Sequence, residues 1–201
     1  MTQVIQKGTV MRCLFCCLGP WPLLRPHSLG FCGRRVGSLL CGRRCRIAPR
    51  IGGSAAYRTF LRDELMPQVR QRYPTTDERA LIGESLAGLF VVETLLQEPT
   101  LFNSYIALDP SLWWNRGAML AGAAKQLPAV TRAQPRVFLA SSGQPELAAS
   151  AAQLATLLQQ ASPSPLVKYL PLPEETHATI YHPAALQALR TLFPAPPPAS
   201  P

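Results

Sequence analysis

Residues 53–201 contain no cysteine, and residues 1–52 contain no aspartate or glutamate. The first absence excludes a disulfide framework for the larger part of the chain, which then fits a reducing or an oxidising compartment equally. The second localises the net charge of +9. Lys7, Arg12, Arg25, Arg34, Arg35, Arg43, Arg44, Arg46 and Arg50 supply nine positive charges, while the other eleven Lys/Arg are balanced by eleven Asp/Glu. The basicity therefore belongs to the first quarter alone, and no nucleic-acid partner is expected of the rest. Long apolar runs are lacking too, so no membrane span is expected. Histidine is scarce, with only His27, His177 and His182.

All six cysteines, Cys13, Cys16, Cys17, Cys32, Cys41 and Cys45, fall in the basic segment. Three readings of residues 1–52 compete. A signal peptide needs an unbroken apolar stretch, and Gly19, Pro20 and Pro22 interrupt this one. That failure tilts the expected compartment toward the cytoplasm. A zinc site would need regular ligand spacing, which these cysteines do not give, so no metal is expected. The reading ranked first is that residues 1–52 are not a selected globular sequence and come from an out-of-frame or mis-assigned start. They are then expected to be poorly ordered. Residues 53–193 form the expected catalytic domain, and the proline-rich tail 194–201 is expected to be disordered.

Within residues 53–193, apolar runs alternate with helical patterns. Tyr57, Leu61, Leu65, Val69 and Tyr73 recur every four residues and predict a helix, capped by Ser54, kinked by Pro67 and ended by Pro74. Strands are expected at residues 80–82, 105–108, 136–141 and 166–172. Helices are expected from the elbow to about residue 97, then over 118–126, 147–160 and 183–193. This order predicts an α/β fold, a mostly parallel sheet with helices on both faces. Ligands gather at the carboxyl ends of such strands. Ser85, Asp109, residues 142–146 and His177 all fall there.

The strand at residues 80–82 runs into Gly83-Glu84-Ser85-Leu86-Ala87-Gly88. A serine flanked by small residues on a tight strand-to-helix turn is what a nucleophile elbow requires. The turn exposes the Ser85 hydroxyl and leaves the Leu86 N–H at a helix N-terminus, facing a developing oxyanion. A hydroxyl needs a base, and the base needs an orienting group. His177 follows the last strand and is the expected base. The acid is open. Glu146, after the strand preceding the histidine strand, ranks first, and Asp109 is the alternative. A Ser–His pair without an acid is also open. Trp113 and Trp114, beside Pro110 and Ser111, are expected to line a pocket, with one of them contacting substrate.

At these residues the chain resembles the esterase branch of the α/β-hydrolases that includes the enterobactin-type siderophore esterases. The residues that carry the likeness are 83–90, Pro99 with Leu101-Phe102, 105–114 including Pro110-Ser111-Leu112-Trp113-Trp114, Glu174-Glu175-Thr176-His177, and 60–67. The resemblance spans about residues 52–193. It implies serine ester hydrolysis on a small-molecule ester without a cofactor, with Ser85 as nucleophile and His177 as base. Two departures stand out. Glu84 and Ala87 occupy positions where the family often has His and Gly. The family's opening strands and its second oxyanion donor lie before the first helix, and nothing in residues 1–52 looks like them. The fold is therefore expected to be incomplete on its N-terminal side, and a non-catalytic remnant is the alternative function.

Overall fold

Four short apolar runs become the parallel centre of one sheet. In the computed structural model, residues 2–6, 9–13 and 52–194 are described, the first two stretches as backbone. The strands are β1 (Thr2–Gln6), β2 (Thr9–Cys13), β3 (Arg79–Glu84), β4 (Ser104–Leu108), β5 (Arg136–Ser142) and β6 (Leu166–Leu172). Their order is β2-β1-β3-β4-β5-β6. Strands β3 to β6 pair in parallel, whereas β1 runs antiparallel to both β2 and β3.

The reading that nothing in residues 1–52 supplies a strand beside β3 is corrected here for residues 2–6 and 9–13. Strand β1 pairs with it from Thr2↔Gly83 to Gln6↔Arg79. The local reason is legible afterwards. Thr2-Gln3-Val4-Ile5-Gln6 and Thr9-Val10-Met11 are rich in β-branched residues. Only Lys7-Gly8 separates the strands, a spacing suited to a two-residue hairpin connection. The composition of the whole segment hid these ten residues. The expectation of poor order over the rest of residues 1–52 lies outside the described residues, as does that for 195–201.

Along β3 to β6, odd-numbered residues face one layer of helices and even-numbered ones the other. Leu81, Tyr105, Ala107, Val137 and Leu139 pack with α1 (Ser54–Phe60), α2 (Met66–Arg72), α3 (Leu86–Gln97), α5 (Leu127–Ala133) and α6 (Pro145–Gln159). Ile82, Ile106, Leu108, Phe138 and Ala140 pack with α7 (Tyr181–Leu192). Helices thus cover both faces, as the alternation predicted. Between α1 and α2 lies a π-helical turn, Leu61–Leu65, in which the Met66 N–H reaches the Leu61 carbonyl. The expected kink at Pro67 takes this form, a widened turn just ahead of a residue with no N–H to donate. Helix α4 (Trp114–Gly122), interrupted by left-handed backbone at Asn115, Arg116 and Gly117, continues through a 3₁₀ turn, Ala123–Gln126, into α5, a helix the sequence reading did not expect. Pro128 sits in the first turn of α5, where its missing N–H costs nothing. Arg58 ties α1 to the end of α3. It is 3% exposed, pairs with Glu93 at 3.2 Å and donates to Gln97 at 2.5 Å.

Candidate active site

Ser85 follows β3 and stands immediately before α3, at φ 58° and ψ −121°. L-residues avoid this region, and strain of this kind persists only where the surroundings fix it. Three backbone hydrogen bonds do so. The Ser85 N–H donates to Leu108 O at 3.1 Å, and its carbonyl accepts from Leu89 at 2.9 Å and Ser111 at 3.0 Å. Gly83 is also needed, since a Cβ there would lie 2.5 Å from the Ala87 carbonyl oxygen. Strand end and first helical turn close on each other through that gap. Leu86 is the first residue of α3, so its N–H has no partner within the helix.

His177 lies in the loop between β6 and α7. Its Nε2 is 3.0 Å from Ser85 Oγ, and its Nδ1 is 2.8 Å from Asp109 Oδ2. Asp109 is fully buried just past β4, at φ 45°. Its other oxygen, Oδ1, accepts the Ser142 N–H at 2.9 Å. The carboxylate is thus held from two sides, and one of its oxygens is left for the imidazole.

Asp109, rather than the first-ranked Glu146, is therefore the carboxylate that the structure brings to His177. Glu146 sits exposed in the first turn of α6 and, among the described residues, makes no hydrogen bond to the histidine. The reason lies in how the histidine loop crosses the sheet. Strand β5 separates β4 from β6, and the loop folds back over the end of β5. There the Gly143 N–H donates to Glu175 O at 2.9 Å. The fold-back carries His177 past the residues following β5 and onto the end of β4.

The fold-back depends on Gly143. A Cβ at this position would lie 2.3 Å from the Pro173 carbonyl oxygen, a backbone atom that cannot swing away. Gly143→Ala is expected to push residues 173–177 off the sheet edge. A displacement of about 1 Å at a reacting group can cost roughly 10²-fold in rate. Steady-state kinetics on an aryl ester, with circular dichroism to confirm folding, measure this. Unchanged turnover would show that the loop does not need this close approach.

A cavity of about 530 Å³ opens over the serine. Ser85, Ser111, Trp113, Glu146, Leu147 and His177 are among its lining residues. Of the adjacent Trp113 and Trp114, Trp113 lines the cavity and is half exposed, and the Trp114 ring lies against it with ring centroids 5.8 Å apart. Leu86, 53% exposed at the start of α3, is a second apolar surface next to the serine in sequence. Ser111 is the residue whose part in the site the sequence reading missed. Its only signal was its place in the Asp109-Pro110-Ser111 run that leaves β4.

Glu84 precedes the serine and is partly buried. Burial pushes its carboxyl above the ordinary carboxylate range and the Asp109 charge adds to this, while His177 and His182 pull the other way. A folded-state value above the unfolded one gives a contribution fully present below the unfolded value and lost as pH rises through the folded one. Glu84→Gln, which removes the charge but keeps the shape, is therefore expected to raise the melting temperature at pH 7 more than at pH 4. Equal shifts at both pH values would contradict this.

A mostly parallel sheet with helices on both faces and a strained serine at a strand-to-helix turn defines an α/β-hydrolase-like protein. The chain belongs to the family described as "Putative esterase", whose model matches residues 36–178. It is 38% identical over 73 residues to the ferri-bacillibactin esterase BesA of Bacillus subtilis, covering 36% of this chain and 25% of that protein. Among solved structures it is similar to the BES protein from Bacillus cereus, at a TM-score of 0.65 and 25% identity, covering 72% of this chain and 58% of that one. It is likewise similar to an IroE-like serine hydrolase from Shewanella oneidensis, at a TM-score of 0.64 and 26% identity, covering 71% and 48%. The chain thus matches about a quarter of the length of that curated relative, and about half the length of the solved ones.

Proposed function

We propose that the chain is a serine carboxylic-ester hydrolase in which Ser85 is the nucleophile, His177 the general base and Asp109 the orienting acid. The observation that carries this reading is the unbroken path from Ser85 Oγ through the imidazole to a fully buried carboxylate. An ionised carboxylate only accepts, so it holds the proton on Nδ1 and leaves Nε2 bare. Nε2 then takes the Ser85 proton as Oγ attacks the ester carbonyl. The Leu86 N–H, at the positive end of α3, stabilises the oxyanion. His177 returns the proton to the leaving alcohol, and water repeats the cycle on the acyl-enzyme. This route needs no metal and no cofactor.

For substrate, the reading takes a small-molecule ester of the siderophore type. Support comes from the printed names of relatives, among them BesA and a siderophore triacetylfusarinine C esterase of Aspergillus fumigatus. Trp113 offers an aromatic wall for the acyl portion. A fluorophosphonate probe tests the reading. Covalent labelling of the wild-type chain that maps to Ser85 by mass spectrometry, together with aryl-ester turnover, is expected. A chain that neither labels nor turns over ester is not a serine esterase.

A further inference from the structure

Ser111 places a second hydroxyl against the nucleophile. Its Oγ is 3.3 Å from Ser85 Oγ, and the residue is 2% exposed. Its backbone is fixed on both sides, with the N–H donating to Ser85 O at 3.0 Å and the carbonyl accepting from Trp114 at 3.0 Å. Among the described residues the Ser111 hydroxyl makes no other hydrogen bond.

The direction of this contact follows from counting donors. Asp109 accepts from Nδ1, so Nε2 accepts from Ser85, and the single Ser85 proton is used there. Ser85 Oγ has only lone pairs left. Ser111 must therefore be the donor. At 3.3 Å the bond is long for O–H···O, whereas a hydroxyl facing an oxygen that carries charge closes to about 2.5–2.7 Å.

We infer that Ser111 is a catalytic residue of the deacylation step, donating its hydroxyl to Ser85 Oγ as that atom leaves the acyl carbon. The inference rests on the serine-esterase reading. In deacylation a water oxygen bonds to the acyl carbon and its proton passes to His177 Nε2. The tetrahedral intermediate then collapses and the carbon–Oγ bond breaks. The bonding pair goes to Oγ, which takes the proton from Nε2, while the Ser111 proton stays on Ser111. Charge grows on Oγ during that collapse, and the Ser111 hydrogen bond strengthens with it. In acylation the hydrogen bond is already made to the resting Ser85 hydroxyl, whereas in the acyl-enzyme Oγ is an ester oxygen and a poor acceptor, so the gain over the ground state is larger in deacylation. Ser111 therefore acts on one half of the cycle more than on the other.

Stopped-flow hydrolysis of an activated aryl ester tests this with the full chain. Ser111→Ala is expected to slow deacylation roughly tenfold to a hundredfold, the loss of one hydrogen bond to a charged atom. Acyl-enzyme then accumulates as a burst of phenolate followed by a slow steady state, and both kcat and KM fall. Fluorophosphonate labelling, which reports only the attack, should stay within about threefold of wild type because it needs no Oγ departure. Ser111→Thr, which keeps a hydroxyl, should restore the fast steady state. A Ser111→Ala chain with no burst and unchanged kcat would overturn the inference. So would equal losses in labelling and turnover, since those would mark Ser111 as packing for the elbow. A wild-type chain that fails to label overturns the esterase reading instead, so the two failures are told apart.

Discussion

Ser85→Ala and His177→Ala are each expected to lower aryl-ester hydrolysis by about 10⁴-fold or more, and the double variant by little more than either. The non-additivity follows from the geometry. The imidazole at 3.0 Å from Oγ enters the cycle by taking that hydroxyl's proton. Without the hydroxyl the base has nothing to activate, and without the base the hydroxyl stays protonated. Folding should be little affected by Ser85→Ala. Removing the Ser85 hydroxyl takes away two hydrogen bonds at the edge of a cavity, and the backbone bonds that hold the elbow remain. Steady-state kinetics on the three variants decide the matter. Losses that multiply would mean that Ser85 and His177 act separately. Full activity in Ser85→Ala would move the nucleophile elsewhere.

The elbow was legible because its demands are local. A strand, a serine between small residues and a helix must follow one another without a gap, and residues 79–97 meet that order. The parallel core was legible for a similar reason, since strands buried on both faces read as short apolar runs. The N-terminal hairpin was not. Two five-residue strands sit inside a segment whose Arg and Cys content dominates any average, and β1 takes its place through pairing with a strand more than seventy residues away. The carboxylate that faces His177 was legible only as one of a pair of alternatives. Choosing between Glu146 and Asp109 requires knowing that residues 173–177 fold over Gly143, and that depends on an absent side chain in one loop meeting a carbonyl in another.

Asp109→Asn is expected to lower turnover by roughly 10³–10⁴-fold, while Glu146→Gln changes it by less than about threefold. The contrast tests the acid directly. Asparagine fits the Asp109 site. Its oxygen can keep the Ser142 N–H bond now made by Oδ1, and its amide then faces His177 Nδ1. An amide N–H there donates, so Nδ1 must accept and the ring proton moves to Nε2. A protonated Nε2 cannot take the Ser85 proton. The site would keep its shape and hold the wrong tautomer. Asp109→Ala would instead leave the buried Ser142 N–H without an acceptor, at a cost of about 1–3 kcal/mol in stability, and would confuse folding with catalysis. Glu146 is exposed at the start of α6, where its charge favours the helix dipole. Neutralising it should cost a few tenths of a kcal/mol in stability at most and leave the imidazole undisturbed. Kinetics and thermal melts on both variants provide the comparison. If Glu146→Gln carries the large loss and Asp109→Asn does not, the histidine loop must rearrange on binding substrate so that α6 supplies the acid.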